Sequence, residues 1–177
     1  MAANASRPGP LARTVFGALK TPLDITPLVN AVRARQGEDA FAAGLSAHEW
    51  RLLAGAMQRR ELQPGELLLR RGDTDTQAFL VEHGELQVFV TGGPPRSHRI
   101  ATLREGALIG EPGLFGATPR MAHVEAVTAA AVWALPAQRL HALADAAPGL
   151  VLEVLRAAGA VMAWRMRTNL ERGIPLI

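Results

Sequence analysis

The chain has 177 residues, of which 49% are hydrophobic and 20% charged, as is typical of a globular protein with one hydrophobic core. It contains no cysteine, which excludes a disulfide framework, thiolate zinc sites, iron–sulfur clusters and a cysteine nucleophile. Its 19 basic residues, all but one of them Arg, exceed the 16 acidic residues by only three, so a sequence pI near 10.8 is weak support for nucleic-acid binding.

Residues 1–20 are rich in Ala, Pro, Gly and Arg and are interpreted as a mobile arm, although the acid-free stretch 1–23 weakly resembles a transit peptide. A short helix is predicted from Pro27 to Arg35, ending before Gly37. No stretch of the sequence approaches the roughly 18 uncharged apolar residues that a membrane span requires. We therefore expect a cytoplasmic protein without a membrane partner.

A second helix is predicted to begin at Ser46, because Ser46 and Glu49 have the spacing of a capping box. From Gln58 onward the apolar period changes from about 3.6 to about 2, and turns containing Gly or Pro recur. Short alternating runs at this spacing predict an antiparallel sandwich or barrel, of the jelly-roll type. The predicted strands lie around 67–69, 79–81, 86–90, 97–103, 122–127 and 130–135.

Two helices are predicted after the strands: a short one over Ala137–Asp145, opened by Pro136, and a long one from about Leu150 to Leu170. The long helix carries two adjacent apolar seams. One consists of Leu150, Val154, Ala157, Val161 and Trp164, and the other of Val151, Leu155, Ala158 and Met162. One seam packs on the helix's own domain. The second indicates contact with a ligand or a second copy of the chain, or else a wider internal core, and the sequence leaves these alternatives open.

The segment Ile109–Ala122 has the composition of a binding site. It combines a Gly-rich turn, a Pro that can occupy the first helical position, and Arg120 nine residues after Glu111. A helix N-terminus with free N–H groups binds anions, and arginine is suited to gripping a phosphate. A carboxylate suits a sugar hydroxyl, because the carboxylate accepts and the hydroxyl donates. Glu111 and Arg120 therefore indicate a site with a sugar-binding end and an anion-binding end.

This segment resembles the phosphate-binding cassette of the cyclic nucleotide-binding domain family, which includes catabolite activator protein-type regulators, cyclic nucleotide-dependent kinases and gated channels. The similarity covers roughly Phe41 to Leu170 and includes Gly65-Glu66, Arg71-Gly72-Asp73, Phe79-Leu80-Val81 and Gly84-Glu85-Leu86-Gln87-Val88. It implies a mainly β fold with flanking helices: a β-roll of the jelly-roll type, N-terminal helices and a long C-terminal helix.

The resemblance also implies a set of ligand-binding residues, namely Gly110, Glu111, Gly113, Arg120, Met121 and Ala122. Glu111 would accept a hydrogen bond from the ribose 2′-hydroxyl, with the backbone of Gly110 close to the sugar. Arg120 would pair with the cyclic phosphate. The backbone N–H groups of Gly113 and Met121 would donate to the phosphate oxygens.

Two departures from the family pattern bear on the ligand. Pro112 stands where the family often has Leu or Ile, and it removes an N–H group that the first turn of a helix can spare. Met121 stands where cyclic GMP-preferring members often have a Thr that would hydrogen-bond the ligand, so cyclic AMP is predicted in preference to cyclic GMP. In this family the long helix covers the base. Its candidate lid residues here are Val161, Trp164 and Arg165, with Trp164 either stacking on a purine or anchoring the core or a dimer.

The sequence indicates neither a metal site nor catalysis. The five histidines lack the close pairing of a metal site; they are His48, His83, His98, His123 and His141. The sequence also shows no arrangement of a nucleophile with a base. Arg59-Arg60, Arg70-Arg71 and the last-helix arginines Arg165, Arg167 and Arg172 are interpreted as solvated charge. As an alternative to binding a ligand, Glu111 and Arg120 could form a structural ion pair with each other in a fold that has lost its ligand.

We therefore predict a stand-alone regulatory module, not an enzyme, that binds a cyclic nucleotide with no other cofactor and moves its long helix to signal to a protein partner. A homodimer through the C-terminal helix is one option. Only residues 171–177 follow that helix, too few for a helix-turn-helix, so no DNA binding is expected. The alternatives are a nucleotide-free interaction or dimerisation module, and the sensor fragment of a larger regulator.

The predicted organisation has three parts. An arm and a short helix occupy residues 1–40, the binding domain occupies 41–170, and a tail occupies 171–177. Within the binding domain the β-roll extends over about 57–135 and the C-terminal helices over 137–170.

Overall fold

The computed structural model describes residues 24–91 and 97–171. Within these ranges the α-helices are α1 (Thr26–Ala34), α2 (Ala47–Ala56), α3 (Ala137–Ala142) and α4 (Pro148–Glu171), and a 3₁₀ helix covers Glu111–Leu114. The strands are β1 (Gln58–Leu62), β2 (Leu67–Leu69), β3 (Gln77–His83), β4 (Leu86–Thr91), β5 (Ser97–Leu103), β6 (Leu108–Ile109), β7 (His123–Ala126) and β8 (Ala130–Pro136). The predicted arm, the Gly-Pro turn at 92–95 and the tail beyond residue 171 lie outside the described residues.

Across the described ranges, the strands form two four-stranded antiparallel sheets, in the orders β1-β8-β3-β6 and β2-β7-β4-β5. Together with the flanking helices they form the predicted jelly-roll architecture. The two-residue strand β6 was not predicted, because two apolar residues between turns carry no detectable alternation. It pairs with β3 and leads directly into the segment that the sequence marks as a binding site.

Alternation along β3 divides its apolar side chains between two cores, because successive residues of a strand point to opposite faces of the sheet. Phe79 and Val81 lie in the core between the two sheets. Ala78 and Leu80 lie in the core between the first sheet and the helices. Strand β8 is divided in the same way, and covering it on both faces explains why nearly all of its residues are buried.

The helices cover the outer face of the first sheet. The capping box of α2 is confirmed: the Glu49 N–H donates to Ser46 Oγ at 3.3 Å, and the Ser46 N–H donates to the Glu49 carboxylate at 2.8 Å. Helix α1 agrees with its prediction to one residue at each end. Helix α3 ends at Ala142, before the predicted Asp145, because the chain continues there in tight turns such as Ala144 N–H to His141 O.

Both seams predicted for α4 enter the core. The first seam is core as far as Val161, since Leu150, Val154, Ala157 and Val161 are all buried. The second seam lies in the same core at Val151 and Ala158, packs partly against it at Leu155 and leaves it at Met162, which is exposed. The outer surface of α4 therefore carries large apolar side chains, namely Leu152, Met162, Met166 and Leu170.

Arg59 is not solvated charge, contrary to the expectation from the sequence. Its guanidinium donates to both carboxylate oxygens of Glu82 at 2.9–3.2 Å, and the buried Glu82 also accepts the indole N–H of Trp133 at 2.6 Å. Burial acts to raise the pKa of Glu82, but the hydrogen bonds from Arg59 and Trp133 outweigh it and hold the pKa below its ordinary value. A charged network thus lies at the margin of the core between helices and sheet.

Candidate functional site

The segment 109–122, hereafter the cassette, connects β6 to β7. Gly110 has a φ of +69°, in the left-handed region that side chains disfavour, and this turns the chain from β6 into the 3₁₀ helix. The Gly113 N–H closes that helix by donating to the Gly110 carbonyl at 3.0 Å. Leu114 is buried in the core beneath the helices and anchors the turn. The helix predicted from the sequence is therefore a single 3₁₀ turn.

The side chain of Arg120 is held from three sides and the residue is only 7% exposed. Its Nε and Nη2 both donate to the carboxylate of Asp75, the Nε bond measuring 3.0 Å. Nη2 also donates to the Gln77 carbonyl at 2.6 Å, and Nη1 donates to the Gly110 carbonyl at 3.0 Å. Four of the five N–H groups of the guanidinium are thereby engaged, which leaves one Nη1 N–H for another acceptor.

The backbone at the end of the cassette is fixed as firmly as the side chain. The Arg120 N–H donates to the Asp73 carbonyl at 2.7 Å, and the Gly72 N–H donates to the Arg120 carbonyl at 2.9 Å. Three residues later, His123 Nδ1 accepts the Arg71 N–H at 3.2 Å. The turn between β2 and β3 therefore holds the cassette in register with the sheet.

Two glycines allow the guanidinium to lie against the cassette backbone. A Cβ atom on Gly110 would be 2.6 Å from Arg120 Nη1, and one on Gly113 would be 2.9 Å from the Gln77 carbonyl oxygen. Neither distance is sterically acceptable. Gly110 and Gly113 are therefore required by the close approach of Arg120 and the Gln77 carbonyl, and Gly110 is required by the turn as well.

Glu111 is 4% exposed and is joined to the last third of α4. Arg165 Nη1 donates to Glu111 Oε2 at 2.8 Å, while its Nη2 donates to the Leu108 carbonyl at 2.7 Å. The expectation that Arg165 is solvated charge is therefore wrong. The carboxylate predicted to bind a sugar is bonded to the helix predicted to form the lid.

The other residues predicted for the site lie in different surroundings. Met121 is half-exposed and Ala122 is partly buried at the end of the cassette. Val161 is buried in the core face of α4. Trp164 is partly buried, and its indole N–H donates to Glu38 Oε2 at 2.7 Å, in the segment between α1 and α2.

Sequence reasoning missed Asp75 and Glu38. Asp75 lies 45 residues before its partner Arg120, and Glu38 lies 126 residues before Trp164. The one available signal for Asp75 is its place just after the Arg71-Gly72-Asp73 turn and before β3. Glu38 carries no such signal, because an isolated acid in a connecting segment reads as surface charge.

Residues 24–91 and 97–171 offer neither a metal site nor a membrane span. No cluster of three or more His, Cys, Asp or Glu side chains that could hold a metal ion occurs in this part of the chain. Among the helices described there, none has the length and apolar character needed to cross a bilayer.

Comparison with known proteins gives consistent matches. A sequence model described as "Cyclic nucleotide-binding domain" matches residues 59–147, about half of the chain. The cAMP-dependent protein kinase type II regulatory subunit of Drosophila melanogaster is 30% identical over 118 residues, which is 64% of this chain and 30% of that protein. The chain thus spans less than a third of the length of this relative.

Solved structures resemble the whole β-roll with its helices. A cyclic nucleotide-binding domain from Methylobacillus flagellatus superposes with a TM-score of 0.71 at 25% identity, covering 82% of this chain and 80% of that one. The catabolite activator protein of Thermus thermophilus has a TM-score of 0.65 at 28% identity, covering 76% and 62%. The sequence match, the fold and the cassette geometry agree: the chain belongs to the cyclic nucleotide-binding domain family.

Proposed function

We propose that this chain is a regulatory module that binds cyclic AMP at its cassette and has no catalytic function. The observation that carries the proposal is that one short Gly-rich segment holds both a buried cation, Arg120, and a buried carboxylate, Glu111. Charged side chains are rarely so buried unless they are paired, and here Asp75 pairs with Arg120 and Arg165 pairs with Glu111. The similarity to kinase regulatory subunits that are cAMP-dependent by name supports the choice of ligand.

The cyclic phosphate would be bound at Arg120. One Nη1 N–H is available to a phosphate oxygen, and the positive charge is held in place by Asp75 and two carbonyl groups. The backbone N–H of Met121 is the second proposed donor. In the structure the Gly113 N–H closes the 3₁₀ turn onto Gly110, so a phosphate would bind this third donor only by opening that turn.

The ribose would be bound at Glu111, which accepts from the 2′-hydroxyl. The same carboxylate accepts from Arg165, so ribose and α4 compete for a group that is almost completely covered. Nucleotide binding therefore alters the contact that joins the cassette to α4. In this way occupancy of the site would shift the helix between two positions that a partner can distinguish.

The preference for an adenine base rests on Met121. This side chain is half-exposed directly after Arg120 and offers apolar contact but no hydroxyl. A guanine presents additional polar groups that remain unpaired beside a thioether. Because Met121 cannot pair these groups, we expect cyclic GMP to bind more weakly than cyclic AMP.

Titration calorimetry tests the proposal on protein refolded free of nucleotide. We expect saturable binding of one cyclic AMP per chain, with weaker binding of cyclic GMP. Hydrogen exchange on the same samples should change in the last third of α4 when cyclic AMP is added, because the Glu111–Arg165 contact is altered. The absence of heat and of thermal stabilisation with both nucleotides would contradict the proposal and favour the nucleotide-free interaction module.

We also propose that a second copy of the chain covers the outer face of α4. Leu152, Leu155, Gly159, Met162 and Met166 are spaced alternately three and four residues apart, the pattern of a coiled-coil seam. Four large apolar side chains on this helix are exposed. A seam of this kind is self-complementary, and the exposed Phe115 of the cassette, which lies 4.0 Å from the Cβ position of Gly159, adds apolar surface beside its centre.

Light scattering after size exclusion tests the dimer. We expect the wild-type chain to elute as a dimer and Met166→Glu to elute as a monomer, because a carboxylate in the seam loses its hydration on association. Ala160→Glu places the same charge on an exposed position of α4 outside the seam and serves as the control. A wild-type chain that is still monomeric in light scattering at about 100 times the concentration used for calorimetry would contradict the proposal.

A further inference from the structure

The segment between α1 and α2 lies along α4, and we call residues 38–44 the strap. At one end, Glu153 Oε1 accepts the Gly44 N–H at 2.7 Å, and Arg156 Nη2 donates to the Ala42 carbonyl at 2.8 Å. At the other end, Glu38 Oε2 accepts from the Trp164 indole N–H at 2.7 Å and from Arg167 Nη2 at 3.1 Å. The strap and the helix therefore run in opposite directions.

The strap is not extended between its two ends, because tight turns shorten it at Ala40 N–H to Gly37 O and at Ala42 N–H to Ala40 O. Its contacts on α4 nevertheless reach from Glu153 to Arg167, about 21 Å of α-helix. Phe41, in the middle of the strap, is buried in the core that the inner face of α4 also enters. The strap is thus fixed at both ends and at its centre.

The end of the strap near Gly44 is held through two backbone groups by the charged α4 side chains Glu153 and Arg156. Arg156 donates two hydrogen bonds to Glu153, at 2.7 and 2.8 Å. The Arg156 guanidinium and the Gly44 N–H hold the pKa of Glu153 at about 2, so this carboxylate is charged at every ordinary pH. The Glu38 carboxylate at the other end is more exposed: 73% of its side chain is accessible, against 27% for Glu153.

One turn of α4 is therefore held by carboxylates on two sides. Glu111 of the cassette holds Arg165, and Glu38 of the strap holds Trp164 and Arg167. A ribose at Glu111 acts on the first of these contacts only. For α4 to move away from the covered carboxylate, the contacts with Glu38 must also break.

We propose that Glu38 is a positioning residue for the nucleotide site: through the strap it keeps α4 over Glu111 and thereby lowers the apparent affinity for cyclic nucleotide. The inference rests on the proposed function and extends it to the regulation of the same site. When only a fraction of the molecules has α4 displaced, the apparent dissociation constant rises in inverse proportion to that fraction. Removing the strap contact increases the fraction.

The experiment compares the wild-type chain with Glu38→Ala and with Glu61→Ala, an equally exposed carboxylate that is also bonded to an arginine but lies on β1. Acrylamide quenching of tryptophan fluorescence without nucleotide reports Trp164, since Trp50 and Trp133 are fully buried. Trp164→Phe confirms the assignment. Calorimetry then gives the dissociation constant for cyclic AMP of each chain.

For Glu38→Ala we expect faster quenching of Trp164 and binding of cyclic AMP that is about three- to tenfold tighter, as suits contacts made by an exposed carboxylate. Glu61→Ala should match the wild-type chain in both measurements. If the wild-type chain binds cyclic AMP and Glu38→Ala binds it equally or more weakly, the inference about the strap is overturned while the proposed function stands. If the wild-type chain binds no cyclic nucleotide, the proposed function fails, and with it the role of the strap in binding.

Discussion

Replacing Arg120 by Ala is expected to weaken the binding of cyclic AMP by about a hundredfold or more. A charge-assisted hydrogen bond to the phosphate contributes about 1.5–3 kcal/mol, which alone is about a 10- to 150-fold change. The substitution also leaves the Asp75 carboxylate beside the phosphate without its cation, so two negative charges face each other. Titration calorimetry measures the effect directly.

Two further variants make the Arg120 result interpretable. Arg120→Lys keeps the positive charge but cannot form the forked bonds to Asp75, so it should recover only part of the affinity. Arg70→Ala removes an exposed arginine on the neighbouring turn and should leave binding unchanged. Thermal melting of each variant shows that it folds. A folded Arg120→Ala chain that binds within about threefold of the wild type would place the phosphate elsewhere.

Replacing Glu82 by Ala is expected to lower the free energy of unfolding by about 3 kcal/mol, the range for removing one partner of a buried ion pair. The change leaves the Trp133 indole N–H buried without an acceptor and removes three hydrogen bonds from Arg59. For a chain of this length, that corresponds to a decrease in Tm of about 6–12 °C. Urea denaturation at pH 7 measures it.

The control for Glu82 uses the same arginine. Glu61→Ala removes the exposed partner of Arg59, so it should cost about 1 kcal/mol or less. Equal losses for the two variants would show that burial of Glu82 has no energetic role. This pair of variants also separates the core network from the cassette, since the side-chain hydrogen bonds of Glu82 and Glu61 go to Arg59 and Trp133.

The stabilising effect of Glu82 should depend on pH in a defined direction. Its pKa is lower in the folded protein than the ordinary 4.5, so the folded state favours the charged form. The contribution is therefore complete above the unfolded pKa and is lost as the pH falls through the folded one. The difference in stability between the wild-type chain and Glu82→Ala should shrink below pH 4.5.

Local features of the chain were predicted correctly because their signals are short-range. The capping box at Ser46 and Glu49 depends on residues three apart, and the strand that begins at Leu86 depends on alternation within five residues. Arg120 and Glu111 are candidates from one segment and its resemblance to a family, and their role in binding stays a prediction. Where the helix signal competed with turn formation, as in residues 143–145, the prediction extended α3 too far.

The sequence by itself determined the β-roll, the positions of its helices and the segment in which the binding residues are proposed to lie. Only the tertiary structure decided which groups those residues contact. Arg120 finds Asp75 45 residues away, Glu111 finds Arg165 54 residues away, and Glu38 finds Trp164 126 residues away. Periodicity and capping act over a few residues, whereas these contacts depend on how sheets and helices pack. Two arginines that the sequence analysis interpreted as solvated charge, Arg59 and Arg165, are partners of buried carboxylates in the structure.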